Sequence, residues 1–299
     1  MKLLISGLLV YCILLVGACA AVNPRGSDGA VTQAAVAQPA AAEYVAMGSS
    51  FASGPGVATA APDGPAPCRQ SSANYARLVA QRLHLSLLDN TCAGATMAHA
   101  LRGGQHGRAA QVEGITPATK LVTVTIGGND IGFMSNLAAW SCAQKPEILP
   151  VEWRAPACSA GRSDDAVDAG LGQLAVQFDE LATEVRRRSP QARLVFVDYS
   201  TVLPDAGHCP DRLPITDEQL QRGRAMERRL AEVTAAAARR NGALLVRASQ
   251  ATHGHDVCAA EPWVWSWVFP ATLTEWAPGA YHPTEKAMQA IAEAIVGAL

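Results

Sequence analysis

Residues 121–130 read LVTVTIGGND, and the fold turns on them. Leu121 to Ile126 is an uncharged apolar and β-branched run of the kind that forms a strand buried on both faces, as in a parallel sheet. Gly127-Gly128 ends it, and Asn129-Asp130 stands where the chain leaves the strand. A sheet buried on both faces needs helices on both sides, so strands and helices should alternate along the chain. They do. Strands are expected at Glu43 to Met47, just before Asn90, at Leu194 to Asp198 and at Ala243 to Val246. Helices are expected at Ala73 to Leu83 (Tyr75, Leu78, Val79 and Leu83 on one face), Asp165 to Arg188, Asp217 to Asn241 and Thr284 to Leu299. The pattern implies right-handed crossovers and a three-layer α/β/α sandwich around a parallel sheet. Function in such sheets collects at the carboxyl ends of the strands.

Three segments with chemical potential follow expected strands. Gly48-Ser49-Ser50 opens a Gly/Ser turn where a serine hydroxyl is expected to be exposed beside free backbone N–H groups, as a nucleophile requires. Asn90 to Thr96 contains Gly94, and Gly127 to Asp130 follows the buried run. A fourth segment, Gly279-Ala280-Tyr281-His282-Pro283, precedes an amphipathic helix with Met288, Ile291 and Ile295 at helical spacing, and Pro283 suits a first helical turn. Taken singly, Ser50 reads as a turn residue, His282 as a polar residue at a helix start, and Asn129 as a cap for a helix near Ile131.

Taken together, in this order and on this strand pattern, the four segments resemble the SGNH hydrolases, also called GDSL-type esterases and lipases, over residues 43–299. The resemblance implies a flavodoxin-like sheet, with Ser50 as nucleophile and His282 as general base. It places the oxyanion donors at the Ser50 and Gly94 backbone N–H groups and the Asn129 side chain, and leaves Asp130 a structural role. Gly94 is expected to allow a close approach of backbone that a side chain would block. The chain departs from the pattern twice. Ser49 stands where the family has Asp, and Gly279 stands where the acid of a catalytic triad is expected, three residues before His282. Some disulfide-bearing relatives use a backbone carbonyl there, so the Gly279 carbonyl is expected to orient His282 in a Ser-His dyad. Glu275 and Asp256 are the acids that a displaced triad would use instead.

The cysteines and the first residues speak for export. The apolar run Leu3 to Ala18 is short for a membrane span and suits a signal peptide over residues 1–18. Val16-Gly17-Ala18-Cys19 resembles a lipobox that would leave Cys19 lipidated, while Ala18-Cys19-Ala20 also reads as an ordinary cleavage site. Residues 19–42 are rich in Ala, Gly, Gln and Pro and read as a tether. Residues 43–299 suffice for one domain. Cys68, Cys92, Cys142, Cys158, Cys209 and Cys258 argue for three disulfides in an exported chain. Fifteen pairings exist, and sequential pairing closes the shortest loops. Within the resemblance, six cysteines look like the secreted actinobacterial branch.

Composition excludes other classes. With 24 Lys and Arg against 26 Asp and Glu, the chain offers no nucleic-acid surface. Arg186-Arg187-Arg188 closes a helix and reads as a solvated face. His253-Gly254-His255-Asp256 could suggest zinc, but no third and fourth ligand group is identifiable, so neither metal nor cofactor is expected. Trp263, Trp265 and Trp267 alternate at period two, either as a packed wall or as an acyl-binding surface. The expected protein is a monomeric, exported or surface-anchored serine esterase acting on acyl esters. The alternative is a non-catalytic surface lipoprotein that binds acyl or glycan ligands, supported only by the missing acid.

Overall fold

The structure is a computed structural model that describes residues 41–149, 151–267, 276 and 279–299. The signal peptide, Cys19, nearly all of the tether and Glu275 lie outside the described residues. In chain order the elements are β1 (Tyr44–Gly48), α1 (Ser50–Ser53), α2 (Tyr75–Leu83), β2 (Leu87–Asp89), α3 (Met97–Arg102), β3 (Leu121–Thr125), α4 (Phe133–Gln144) and α5 (Val151–Cys158). They continue with α6 (Asp164–Arg188), β4 (Arg193–Val197), α7 (Asp217–Arg240), β5 (Leu244–Val246), α8 (Ala248–Ala251) and α9 (Glu285–Ala298).

All strand pairs are parallel, in the order β2-β1-β3-β4-β5. This is the flavodoxin-like order, in which the chain reverses its direction of travel across the sheet between β1 and β3. Alternation along the strands divides the interior into two cores, as a period of two requires. Val45, Met47, Val122, Val124 and Phe196 pack with Leu137 of α4, Leu174 and Phe178 of α6 and Leu230 of α7. Tyr44, Ala46, Val195 and Val197 face the other way, against Tyr75 and Val79 of α2 and Met288, Ile291 and Ile295 of α9. The two threonines of β3 are buried on this second face. Thr123 shares a hydrogen bond with the Tyr44 hydroxyl at 2.8 Å, and Thr125 with the Tyr75 hydroxyl at 2.9 Å.

Element boundaries shift where side chains cap the helices. Asn74 accepts the Arg77 N–H at 3.0 Å, so α2 starts at Tyr75 and not Ala73. Pro283 is not in a first helical turn: it bridges to Val264, and α9 starts two residues later. Asn129 does not cap α4 either, because Gly132 occupies that position.

The three disulfides pair sequentially, as the loop argument favours: Cys68–Cys92, Cys142–Cys158 and Cys209–Cys258. Cys142–Cys158 staples α4 to α5, while Cys68–Cys92 ties the chain beyond α1 to the Gly94 loop. Replacing Cys142 and Cys158 together by alanine, or Cys68 and Cys92 together, should lower unfolding free energy by about 2–4 kcal/mol, as denaturant titration would report.

Candidate active site

β1 ends at Gly48, and its backbone accounts for the glycine. Its φ is 139°, and a Cβ there would lie 2.3 Å from the Thr125 carbonyl oxygen. The Gln111 side chain closes both sides of this residue, accepting the Gly48 N–H at 2.7 Å and donating to the Gly48 carbonyl at 3.1 Å. Ser49 N–H then donates to Thr125 O at 2.9 Å, and Ser50 begins α1. The side chain of Ser49, where the related pattern has Asp, shares a 3.0 Å hydrogen bond with the Tyr199 hydroxyl, which also accepts the Gly128 N–H at 2.9 Å. Ser50 is only 6% exposed as a residue, so it is buried and does not stand on an open turn as expected from the sequence.

Ser50 and His282, 232 residues apart, meet directly: Oγ lies 2.8 Å from Nε2. The other ring nitrogen, Nδ1, lies 2.8 Å from the Ala280 carbonyl oxygen. A carbonyl can only accept, so Nδ1 carries the proton and Nε2 is left to accept from the serine. The carbonyl that orients the ring is therefore Ala280's and not Gly279's. Gly279 O instead takes the His282 backbone N–H at 3.2 Å, closing the turn, and Tyr281 sits at φ 63° between them. What position 279 supplies is space: a Cβ there would stand 2.6 Å from Nδ1. No carboxylate among the described residues reaches the ring. Asp256 is occupied with the Cys258 N–H at 2.8 Å.

The turn is braced from behind. Tyr281 N–H donates to Trp265 O at 2.8 Å, Trp265 N–H to His282 O at 2.9 Å, and Thr284 N–H to Trp263 O at 2.8 Å. The Tyr281 hydroxyl reaches Ser141 of α4 at 2.6 Å. Of the two readings of the tryptophan segment, the packed wall fits Trp267, which is buried near Tyr281, and Trp263, which stacks on His255 at 3.6 Å. Trp265 keeps 36% of its surface exposed. His253 and His255 have separate partners, the Asp205 carboxylate and the Glu261 carbonyl.

The remaining loops bring donors to the same end of the sheet. Among the described residues the N–H groups of Ser50 and Gly94 have no hydrogen-bond partner, the first because a helix start leaves its amides free. Gly94 has φ 78°, and the nearest atom to a Cβ there would be Gln105 Nε2 at 3.7 Å. Backbone conformation rather than crowding accounts for this glycine, which corrects the expected reason. The Asn129 carboxamide donates to Ala95 O at 2.8 Å, which fixes its plane and leaves its second N–H available. Asp130 accepts the Met97 N–H with both oxygens, at 3.0 and 3.1 Å, and so anchors the start of α3.

Burial lowers the pKa of His282 below 6.5, and the Arg69 charge acts in the same direction. The Ala280 carbonyl, and next the Gly279 carbonyl, oppose the shift by stabilising the protonated ring. Phe51, 5.2 Å from the imidazole and 4.4 Å from Tyr199 between ring centroids, supplies much of the apolar wall. Phe51, Arg69, Gln111 and Tyr199 escaped the sequence reading. Only Tyr199 had a usable signal, being two residues past the end of a buried strand.

The chain is similar to known proteins over most of its length. The sequence model of the GDSL-like Lipase/Acylhydrolase family matches residues 46–290. Lipase 2 of Streptomyces coelicolor is 31% identical over 226 residues, 75% of each chain. A lipase of Streptomyces rimosus is 28% identical over 246 residues, 82% of this chain and 81% of that one. The crystal structure of phospholipase A1 from Streptomyces albidoflavus superposes with a TM-score of 0.66 at 23% identity, covering 87% of this chain and all of that one. The extracellular lipase from Streptomyces rimosus gives 0.65 at 24% identity, covering 86% and 99%. These two structures share the fold described above.

Two outcomes follow from the ring's surroundings. Gly279→Ala should push the imidazole off Nδ1–Ala280 geometry and lower kcat on a soluble ester roughly 100-fold with little change in KM, since misplacing a catalytic group by about 1 Å costs that much. Only the neutral ring can accept a proton at Nε2, and burial lowers the pKa of His282. The acid limb of kcat/KM should therefore fall below pH 6.5, with activity lost only as pH drops through the lowered value; a midpoint above 6.5 would contradict it.

Proposed function

The chain belongs to the GDSL-like lipase/acylhydrolase family and is a carboxylic ester hydrolase, and on that premise we propose that it cleaves acyl esters with a Ser50–His282 dyad and no catalytic carboxylate. The observation that carries this reading is the continuous hydrogen-bond relay from Ser50 Oγ through His282 to the Ala280 carbonyl, 2.8 Å at each step. Ser50 Oγ attacks the ester carbonyl carbon as Nε2 takes its proton. The carbonyl π electrons move to oxygen, where the Ser50 and Gly94 N–H groups and the free Asn129 N–H receive the negative charge. Collapse expels the alcohol, protonated by Nε2, and leaves an acyl-serine. Water, losing its proton to Nε2, attacks that ester, and the imidazolium returns the proton to Ser50 Oγ as the acid leaves.

The Ala280 carbonyl fixes the tautomer and accepts from the imidazolium, though it stabilises that cation less than a carboxylate would. The same carbonyl removes the argument for a binding module, which rested on the missing acid. The leader and the three disulfides support export, with Cys19 as the lipid attachment point of an anchored form. The similarity to lipases supports acyl lipids or short acyl esters as substrates. Among the described residues no helix is long and apolar enough to cross a membrane.

Ser50→Ala should lower ester turnover by several orders of magnitude, as losses of an activated nucleophile do, and abolish labelling by a fluorophosphonate probe. Turnover of p-nitrophenyl butyrate within tenfold of the parent would end the nucleophile assignment.

A further inference from the structure

Gly48 has a permissive backbone at a place where the reaction needs a fixed one. At φ 139° it holds a conformation that side chains rarely allow, and a glycine is restrained least of all residues by its own sterics. What restrains it comes from 63 residues away. The Gln111 carboxamide accepts the Gly48 N–H on Oε1 at 2.7 Å and donates from Nε2 to the Gly48 carbonyl at 3.1 Å. A peptide N–H can only donate and a carbonyl can only accept, so the two bonds also fix which way the carboxamide faces. Gln111 is itself buried and held, its own carbonyl accepting from Asn90 Nδ2 at 2.9 Å.

The Gly48 carbonyl carries a second bond. Cys92 N–H donates to it at 3.0 Å, and the Ser49 N–H of the same peptide group donates to Thr125 O at 2.9 Å. The peptide that leads into Ser49 is therefore tied at both ends, and both lone pairs of its carbonyl are in use. Ser50 lies two residues after Gly48, and Gly94 two residues after Cys92. One carbonyl is thus the common anchor of the loops that carry two of the three proposed oxyanion donors. Without the Gln111 side chain, the Gly48 N–H loses its acceptor and the peptide after it loses one of its three ties.

We propose that Gln111 is a positioning residue for ester hydrolysis. By holding Gly48 at both its N–H and its carbonyl, it aims the Ser50 N–H and sets its spacing from the Gly94 N–H, where charge develops on the substrate oxygen. This rests on the Ser50–His282 reading. Gln111 touches no reacting atom in that mechanism, so its effect falls on the transition state and not on substrate binding.

Gln111→Met keeps the length of the side chain and removes both bonds. With active sites counted by fluorophosphonate labelling taken to completion, kcat per labelled site on p-nitrophenyl butyrate should fall about 10- to 100-fold and KM stay within about threefold, a misplacement of about 1 Å being enough for the larger loss. Gln111→Glu reads the same two bonds through pH. A neutral carboxyl accepts and donates as the carboxamide does, whereas an ionised one only accepts and sets negative charge against the Gly48 carbonyl. Burial and that carbonyl both favour the neutral form, so the ratio of this variant's kcat to the parent's should fall as pH rises across one ionisation, between about pH 5 and 9. Tyr44→Phe is the control. It deletes a buried bond to Thr123 on the same strand and should cost stability while changing kcat per labelled site by less than about threefold. Fewer labelled Gln111→Met sites of unchanged kcat, a Gln111→Glu ratio that is independent of pH or rises with it, or an equal loss of rate in the control would each overturn the proposal and leave the dyad in place. Failure of the parent protein to react with the fluorophosphonate or to hydrolyse the ester would overturn the dyad reading itself.

Discussion

Past the last rung of the β1–β3 ladder, the Ser49 N–H still donates to the Thr125 carbonyl, and the rest of the site depends on that close approach. It continues a parallel register in which Gly48 lies opposite Thr125, so the loops bearing Ser50 and Asn129 leave the sheet side by side. The approach leaves no room for a side chain at 48. It also places the two loops at the crevice where an open parallel sheet reverses its strand order, the one place where backbone amides from two crossovers converge without a connection passing overhead. Tyr199, two residues past the end of β4, bonds Ser49 and Gly128 together and locks the pair.

Onto this rigid floor the chain's last segment delivers His282, the proposed base. His282 sits on a turn that would be soft by itself, with Tyr281 in the left-handed region. It is held instead by antiparallel bonds to residues 263–265 and by Tyr281 anchored on α4. Such bracing matters more here than in a triad. A carboxylate attracts imidazolium through charge and tolerates small errors of angle, whereas a carbonyl contributes one directional hydrogen bond. The absence of a side chain at 279 and the carbonyl at 280 are thus two parts of one solution: the first admits the ring and the second aims it.

Burial and the nearby Arg69 both keep His282 neutral. That favours the neutral ring at mild acidity and disfavours the imidazolium that the proposed mechanism passes through.

The sequence by itself determined the parallel sheet and the long helices α2, α6, α7 and α9. It left fifteen disulfide pairings, among which sequential pairing closes the shortest loops, and it singled out Ser50, Asn129 and His282 only through a resemblance carried by four segments together. The sheet and helices are written locally, in a β-branched run and a helical period, whereas the site segments are legible only from their order along that pattern. The sequence did not determine which carbonyl meets the histidine. Gly279 and Ala280 both lie within reach along the chain, and the choice depends on a φ of 63° at Tyr281 that pairing with a segment some 17 residues earlier imposes. Arg69, Gln111 and Tyr199 were illegible for a related reason. Each acts across 63 residues or more, Arg69 on His282, Gln111 on Gly48 and Tyr199 on Ser49 and Gly128, and only the folded chain brings such partners within hydrogen-bond or Coulomb range. Tertiary structure likewise decided that Ser50 is buried, because the walls around it come from elements that no local pattern connects to its turn.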